Sequence, residues 1–537
     1  MRHRLSLLIA LACAGMAGVA GAAPQGQPSP VVVSVTTAPA LGATLSGRLL
    51  VFVEKVDPAA KQGDEVDASP FAPEAVSVIA REVSNLTPDH PALLGGETDA
   101  FPAALSTLPP GKYRLQAVLD RNHDYNYSGR GPGDLISPVI VADLPGAMPA
   151  LTLDHEVKPG SDDAALARMS EADRAAFKDA LSKVQAVDVP SAKLTAFWGT
   201  PTSIRGWIAL PPGYAGGSAR YPVAYSDGGY GSTLASARFS AARTEIMMAK
   251  GEMPPMIWVF LDHHLASGTH EFADSVNNGP WGSALVEEAI PALEKQYRMD
   301  GKASGRFLTG HSSGGWSTLW LQVAYPKTFG GTWPTAPDPS DFHDFTNVDL
   351  YAPNANMYHD AAGKPYPLVR DHANQIATLE QFAKLEAVLG SYGGQFASFD
   401  WVFSPKCPDG RPCPLFDRAT GVIDPSVAAY WREHYDIAHI ITRDWAKLKP
   451  DLDGKIHLIV GTADTFYLNG PAMRLKAAMD KLGAKADFTF IPDKTHLDLY
   501  ERDKDRWALN KDIAKAMYAV ARPGSGAGKP GLQLDLK

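Results

Sequence analysis

The fold is decided by one short stretch, Arg306-Phe307-Leu308-Thr309-Gly310-His311-Ser312-Ser313-Gly314-Gly315. Its first residues have the apolar character of a short buried strand, and residues 313–325 have the composition of a helix. Between them lies the pattern G-x-S-x-G, whose glycines remove the side chains that would clash in a very tight turn. We therefore predict a strand, a sharp turn that exposes the Ser312 hydroxyl, and a helix.

The alternation of strand and helix continues on both sides of this turn. Apolar strands are predicted at residues 222–225, 257–261, 456–460 and 488–491, with helices at residues 284–297 and 471–482. Such alternation is typical of a parallel sheet that helices cover on both faces. We predict an α/β-hydrolase fold, with a mostly parallel sheet and helices on both faces, over residues 194–520.

The rest of the chain divides by composition. Residues 31–155 contain short alternating strands separated by Gly and Pro, which predicts a small all-β sandwich as an accessory domain. Residues 156–193 are interpreted as a linker with a helix, and residues 521–537 as a flexible tail. Residues 334–450 are rich in aromatic residues and proline, and we interpret them as a cap-like insertion over the site.

The first 22 residues have the three parts of a secretory signal peptide. Arg2 and Arg4 precede an apolar run at residues 5–19, and Ala20-Gly21-Ala22 offers a cleavage site. A membrane anchor is the weaker alternative, because the apolar run is short for a span. We expect a cleaved leader and a periplasmic or secreted protein. No later segment has about 18 uninterrupted apolar residues, so no membrane span is expected.

Composition excludes several classes of protein. The 537 residues are 45% hydrophobic and 20% charged, which excludes a disordered chain, a collagen-like fibre and a coiled coil. The net charge of −9, without a basic block, argues against nucleic acid as a partner. Of the three cysteines, Cys407 and Cys413 flank a turn sequence, and in an oxidising compartment we expect them to form a disulfide. Zinc binding is a poor alternative, because no second cysteine pair is near.

A serine hydroxyl needs a base to activate it, and the base needs an acid to orient it. In this fold the chain order is serine, acid, histidine. Asp464 directly follows one predicted strand and His496 follows the next, and both strand ends lie where open α/β sheets assemble their sites. We predict Ser312, Asp464 and His496 as a catalytic triad. Alternatively, Asp464 only caps the next helix, and Asp493 or Asp498 orients His496.

Two loops are candidates for an oxyanion hole. The N–H of Ser313 lies at the start of the helix after the tight turn, where it can face a developing oxyanion. Ser226-Asp227-Gly228-Gly229-Tyr230-Gly231 follows the first buried strand, where hydrolases of this fold place a second backbone donor. Gly229 and Tyr230 are the candidate donors. A plain turn between strand and helix is the alternative.

Other side chains are candidates for a substrate pocket. His263 ends a predicted strand, Trp281 and Trp333 offer rings for stacking, and Asp338 follows Trp333, although ordinary packing is the alternative for each. These residues lack a known metal-binding spacing, so neither a metal nor a cofactor is expected. Residues 120–126 place oxygen-bearing side chains at alternate positions, as in a calcium loop, but a solvated turn is favoured over calcium binding.

With these motifs in place, the chain resembles the putative-esterase (esterase D-like) branch of the α/β-hydrolases. The resemblance rests on residues 208–214, 221–231, 284–298, 308–329 and 455–464 and on the segment around His496. That branch includes enterochelin esterases, feruloyl and acetylxylan esterase domains, formylglutathione hydrolases and mycolyltransferases. The resemblance implies hydrolysis of carboxylic esters by Ser312, Asp464 and His496, on a small-molecule, polysaccharide or siderophore ester.

The sequence departs from that branch at two places. Ser226-Asp227 stands before the glycines where the family usually has His-Gly, and residues 334–450 lengthen the segment between Ser312 and Asp464. Other functions remain open at this point: acyl transfer to an alcohol, a prolyl-oligopeptidase-type peptidase, or a binding protein without catalysis. About 170 residues before residue 194 are too few for the propeller of such a peptidase. The role of the β domain also stays open between carbohydrate contact, spacing and homodimer formation.

Overall fold

A computed structural model describes residues 31–42, 44–59, 63–96, 98–167 and 169–526. The predicted leader, residues 1–22, lies outside the described residues, as does most of the predicted tail. The ten strands of the first region are β1 (Val33–Thr37), β2 (Leu45–Lys55), β3 (Val76–Leu86), β4 (Ala92–Leu94), β5 (Asp99–Phe101), β6 (Gly111–Asp120), β7 (Leu135–Ile136), β8 (Ile140–Leu144), β9 (Ala150–Leu153) and β10 (His155–Glu156). A single α-helical turn, α1 (Tyr125–Ser128), interrupts them.

These strands form two sheets that enclose an apolar core. The smaller sheet has the order β4-β1-β9, and the larger is built on β10-β7-β6-β2-β3-β5 with β8 paired to β6. Alternate residues of β1 and β2, such as Val33, Val35, Leu49 and Val51, face each other across the core and are fully buried. β1 alternates between buried and half-buried residues, as a strand of a sandwich does, whereas β2 is buried on both faces because its other face packs in a second core with residues of a helix from the second region.

The second region alternates strands and helices. Its helices are α2 (Asp162–Leu166), α3 (Glu171–Lys183), α4 (Ala192–Trp198), α5 (Leu234–Ala249), α6 (Trp281–Ala284), α7 (Ile290–Gln296), α8 (Ser313–Ala324), α9 (Leu379–Leu389), α10 (Gln395–Phe403), α11 (Pro425–His434), α12 (Ile437–Leu452), α13 (Asn469–Lys481) and α14 (Ala508–Ala521). A π-helical turn, Leu285–Ala289, joins α6 to α7. Its strands are β11 (Gln185–Pro190), β12 (Ser203–Ala209), β13 (Val223–Asp227), β14 (Ile257–Leu261), β15 (His264–Leu265), β16 (Gly268–Thr269), β17 (Asp274–Ser275), β18 (Gly279–Pro280), β19 (Arg306–His311), β20 (Gly331–Thr335), β21 (Pro367–Asp371), β22 (Asn374–Thr378), β23 (His457–Gly461) and β24 (Asp487–Ile491).

Eight of these strands form one sheet in the order β11-β12-β14-β13-β19-β20-β23-β24. The six strands from β14 to β24 are parallel, and β12 and β11 extend that sheet in antiparallel fashion. The central strands are buried on both faces, which explains their continuous apolar sequence. The predicted α/β-hydrolase fold is confirmed.

The segment before residue 194 differs from the prediction in two ways. β11 pairs with β12 along its whole length, so the large sheet begins before residue 194, inside the segment interpreted as a linker. The helix expected there is two helices, because the Ser170 side chain caps the start of α3 by accepting from the Asp173 N–H. The structure therefore assigns part of the predicted linker to the hydrolase sheet.

The segment expected as a cap, residues 334–450, runs from the end of β20 through most of α12. It contains the hairpin β21–β22 and the helices α9, α10 and α11, and a disulfide joins Cys407 to Cys413 within it. α9 packs against the β sandwich, where Arg48 donates to the Val388 carbonyl and Asn126 donates to the carbonyls of Glu386 and Gly390. The insertion thus joins the two regions into one structure.

Candidate active site

The turn between β19 and α8 has the geometry that its glycines predict. Ser312 has φ 58° and ψ −125°, a strained backbone for a residue with a side chain. A Cβ on Gly310 or Gly314 would lie 2.1 Å or 2.4 Å from a backbone oxygen, so both positions require glycine. The Asp338 N–H donates to the Ser312 carbonyl over 3.2 Å and the Ser312 N–H donates to the Thr335 carbonyl over 3.0 Å, so β20 and the loop after it hold the turn.

The Ser312 hydroxyl lies beside a buried carboxyl group. Its Oγ donates a long hydrogen bond of 3.5 Å to Oδ1 of Asp338, which was predicted as a pocket residue. The other Asp338 oxygen accepts from Ser313 Oγ at 2.6 Å and from Gln395 of the insertion at 3.4 Å. Burial raises the pKa of Asp338 to about 6, because the ionised form loses its hydration.

A second buried acid lies near this group. Glu271 is fully buried, its backbone has φ 52°, and only one of its carboxylate oxygens has a hydrogen-bond donor, the Thr269 hydroxyl at 2.9 Å. Burial, together with the charges of Asp338 and Asp227, raises the pKa of Glu271 well above its usual range. The described residues offer no Lys or Arg within ion-pair distance of either acid, so no cation offsets the cost of burying their charges.

Asp464 and His496 come together at the ends of β23 and β24. His496 Nδ1 and Asp464 Oδ2 are 2.9 Å apart, and both side chains are buried. The other Asp464 oxygen accepts from the backbone N–H groups of Phe466 and Leu468. Burial alone would raise the pKa of Asp464, but the charge of His496 and these hydrogen bonds hold it below its ordinary value.

The alternative acids have other partners. Asp498 accepts from the Thr495 N–H and hydroxyl, both at 2.7 Å, and pairs with Lys494 at 3.0 Å. Asp493 donates its N–H to Thr462 Oγ1 and has no contact with His496 among the described hydrogen bonds. The geometry therefore brings His496 to Asp464 and not to either neighbour in sequence.

His496 also contacts the residue before the serine. The rings of His311 and His496 have centroids 4.3 Å apart, and Tyr500 packs on the other side of His311. Burial and the nearby His496 lower the pKa of His311 to about 3, so this ring is neutral. The ring contact therefore brings His496 to the residue that precedes Ser312. His311 is the variable position of the motif, and no sequence pattern marked it.

The loop after β13 lies against the serine. Gly229 has φ 95°, and a Cβ there would lie 2.5 Å from the His311 carbonyl oxygen and 3.4 Å from the Ser312 Cβ. The N–H groups of Gly229 and Tyr230 have no acceptor among the described residues. Ser313 is the first residue of α8, where an N–H lacks an intrahelical partner. All three predicted oxyanion donors thus lie close to Ser312 with unused N–H groups.

A buried ion pair between His263 and Asp227 supports the loop after β13. His263 Nδ1 and Asp227 Oδ1 are 2.8 Å apart without the alignment of a hydrogen bond, so the contact is mainly between charges. His263 Nε2 donates to the Gly229 carbonyl at 2.7 Å. Burial lowers the pKa of His263, but the charge of Asp227 and the contact with Gly229 outweigh it, and the pKa lies above its ordinary value. His263, expected in the pocket, instead supports the loop.

The β sandwich also contacts this loop. Tyr230 Oη donates to the Asn126 carbonyl at 2.7 Å, and Tyr127 Oη donates to the Ser232 carbonyl at 2.7 Å. In the β sandwich, at and after the end of β6, carboxylate oxygens of Asp120, Asp124 and Asp134 lie within 4.8 Å of one another. Backbone N–H groups donate to Asp120 and Asp134, as the turn interpretation expects. The accessory domain therefore reaches the candidate site.

The two tryptophans predicted for the pocket lie elsewhere. Trp333 is fully buried in β20, stacked on His457 and packed against Phe307. Trp281 stacks on the buried His270 and donates its indole N–H to the Asn278 carbonyl. Neither ring lines the cavity beside His496. Both rings therefore fit the alternative interpretation, in which they are ordinary packing residues.

Comparison with known proteins identifies the family of this chain. A family described as "Putative esterase" matches residues 199–481, more than half of the 537 residues. The chain belongs to this family. It is a carboxylic ester hydrolase.

Solved structures similar to this esterase have low identity. A ferulic acid esterase is 15% identical, covering 63% of this chain and 98% of that chain with a TM-score of 0.39. An S-formylglutathione hydrolase from Staphylococcus aureus is 11% identical, with coverage of 63% and 98% and a TM-score of 0.37. A dipeptidyl peptidase 4 from Porphyromonas gingivalis is 14% identical, with coverage of 83% and 46% and a TM-score of 0.35. No curated protein matches the esterase.

Proposed function

We propose that the esterase cleaves carboxylic esters through Ser312, His496 and Asp464. The observation that carries this proposal is the His496–Asp464 contact of 2.9 Å, in which the histidine ring also packs on His311, the residue before the strained Ser312. Rotation of the Ser312 side chain away from Asp338 would direct its hydroxyl toward His496, which takes the proton as Oγ attacks the ester carbonyl. Apo enzymes often hold catalytic groups in such relaxed positions.

The acyl-enzyme then forms and breaks down in two balanced steps. The protonated His496 gives its proton to the leaving alcohol as the ester C–O bond breaks, and Ser312 keeps the acyl group. Water attacks the acyl carbon while His496 takes a proton from it. His496 then returns that proton to Ser312 Oγ as the acyl C–Oγ bond breaks, which releases the carboxylic acid and regenerates the Ser312 hydroxyl. Asp464 orients the ring through Nδ1 and stabilises the imidazolium that forms in each step.

We assign the oxyanion hole to the N–H of Ser313 with that of Gly229 or Tyr230. In a trans peptide the N–H of Tyr230 points opposite to the Gly229 carbonyl, which His263 holds at 2.7 Å. The Tyr230 N–H therefore points away from His263. The free N–H groups and the approach of Gly229 to Ser312 support this assignment.

We also propose that the enzyme is exported. The support is the leader pattern of residues 1–22 and the Cys407–Cys413 disulfide, which an oxidising compartment favours. No described helix has the length and apolar character needed to cross a membrane. Expression of the full chain, followed by fractionation and N-terminal sequencing, should give a mature protein that begins at Ala23. A chain that retains Met1 in the cytoplasm would contradict export.

The catalytic proposal is tested by turnover of 4-nitrophenyl acetate. Ser312→Ala, His496→Asn and Asp464→Asn should each lower kcat by about a thousandfold or more, and Ser312→Ala should do so with unchanged melting temperature. Ser218→Ala and His372→Asn are matched controls at exposed positions outside the site and should retain activity. Retained turnover in Ser312→Ala would refute the assignment.

A further inference from the structure

A cavity of about 580 Å³ includes both His496 of the candidate triad and an arginine in its lining. His311 and His496 line it together with Arg243 of α5 and with Arg506 and Trp507, which lie just before α14. Ser236, Ser240 and Asn510 add hydroxyl and amide groups to the same lining. Its volume is that of a pocket for a small ligand.

Arg243 is held in place but has no anionic partner. Its guanidinium carbon lies 4.1 Å from the ring centroid of Trp507 and 4.8 Å from that of Phe177, so two aromatic rings fix it. Among the described residues, no carboxylate forms an ion pair with it and no acceptor takes its N–H groups. Burial, followed by the charge of Arg506, lowers the pKa of Arg243.

The cavity lining does not balance this charge. Its one acidic residue, Asp227, is occupied by His263 and by the Ser317 hydroxyl. Arg506 adds a second cation, and its only carboxylate contact among the described residues is with Glu501 at 4.0 Å. Arg243 also borders a smaller cavity of about 310 Å³ with Asp173 and Glu252, but Ser170 donates to Asp173 and Lys511 pairs with Glu252 at 2.6 Å.

We propose that this cavity binds an anionic group of the ester substrate, at Arg243. The inference rests on the proposed function of Ser312, because it describes the substrate of the same site. A carboxylate matches the planar fork of a guanidinium, which can donate two parallel hydrogen bonds. The substrate class is therefore an ester that carries a carboxylate or similar anion on its acyl or alcohol part.

The test compares esters that differ in one charge. For the acyl side, mono(4-nitrophenyl) glutarate is paired with 4-nitrophenyl valerate; for the alcohol side, 3-acetoxybenzoate is paired with phenyl acetate. In Arg243→Gln, the ratio of kcat/KM for the anionic and neutral members should fall about ten- to hundredfold in at least one pair. Arg243→Lys, which keeps the charge without the fork, should give an intermediate ratio. Lys250→Gln removes an exposed charge just after the same helix and should leave the ratio unchanged.

The outcomes separate this inference from the catalytic proposal. If both ratios in Arg243→Gln and Arg243→Lys equal those of the parent, the anion site is refuted while ester hydrolysis stands. If Lys250→Gln shifts a ratio as much as Arg243→Gln does, the effect is general electrostatics and the site is also refuted. Both proposals are supported if Ser312→Ala loses neutral-ester turnover, and if Arg243→Gln retains it while at least one anionic-to-neutral ratio falls.

Discussion

The support of the oxyanion loop by His263 predicts that two substitutions at this residue have opposite effects. The Asn side chain places its amide near the position of imidazole Nδ1, and the Gln side chain places its amide near that of Nε2. His263→Asn therefore keeps a donor toward Asp227, which is 2.8 Å from Nδ1, but loses the donor to the Gly229 carbonyl. His263→Gln keeps a donor toward Gly229 but leaves Asp227 buried without its charged partner.

The magnitudes follow from these contacts. Loss of one oxyanion donor typically costs ~2.7–4 kcal/mol, so kcat of His263→Asn should fall by up to about 100- to 1000-fold with little change in KM. Removal of one partner from a buried ion pair typically costs about 3–5 kcal/mol of stability, so His263→Gln should have the larger loss in unfolding free energy.

The assay combines steady-state turnover of 4-nitrophenyl acetate with urea unfolding of the same preparations. The expected result is a crossed pattern, in which Asn is the slower enzyme and Gln the less stable one. The reasoning would be refuted if both variants lost rate and stability in the same proportion, because His263 would then be a packing residue only.

The parent enzyme should also respond to pH through this residue. The pKa of His263 is raised in the folded state, so the stability that its charge contributes is fully present below about pH 6.5, the ordinary value, and is lost as pH rises through the folded pKa. His263→Gln should lack that part of the alkaline loss in unfolding free energy.

Two further predictions concern residues beside the serine. Gly229→Ala should lower kcat about a hundredfold, since its Cβ would lie 2.5 Å from the His311 carbonyl oxygen. Gly231→Ala is the control: this glycine also has a positive φ, 81°, but its Cβ would have a nearest contact of 3.7 Å, so the variant should retain most of the rate. Equal losses of kcat in the two variants would contradict the role of the close approach. Asp338→Asn should gain stability relative to the parent as pH rises from 4 to 7. The folded pKa of about 6 means that the parent loses up to about 3 kcal/mol over this range, and a pH-independent difference in urea midpoints would contradict this.

The sequence predicted the fold and the residues that lie at strand ends. Ser312 was predicted from the G-x-S-x-G pattern, and Asp464 and His496 were predicted because each directly follows an apolar strand. A tight turn, the end of a strand and the order of residues along the chain can all be recognised in the sequence itself. The strands before Asp464 and His496 follow each other in the chain and were expected in one parallel sheet. Their ends were therefore expected to be neighbours, so the contact between Asp464 and His496 was predictable.

Other parts of the site depend on which distant segments meet. The ion pair of Asp227 with His263 joins the ends of β13 and β14, and the contact of Tyr127 with Ser232 joins two domains; neither has a motif. Trp333 was expected in the pocket because its ring could stack on a substrate, but in a strand buried on both faces its ring packs in the core. Arg243 lies in an ordinary helix, and only the structure shows that it is unpaired.

The central claim is that Ser312 forms the acyl-enzyme, and covalent labelling tests it most directly. The full-length enzyme would be treated with a fluorophosphonate, digested, and analysed by mass spectrometry for the labelled peptide. The account predicts one adduct, on Ser312, which is absent in Ser312→Ala and forms much more slowly in His496→Asn. Labelling at another serine, or ester turnover that persists in the unlabelled Ser312→Ala enzyme, would contradict it.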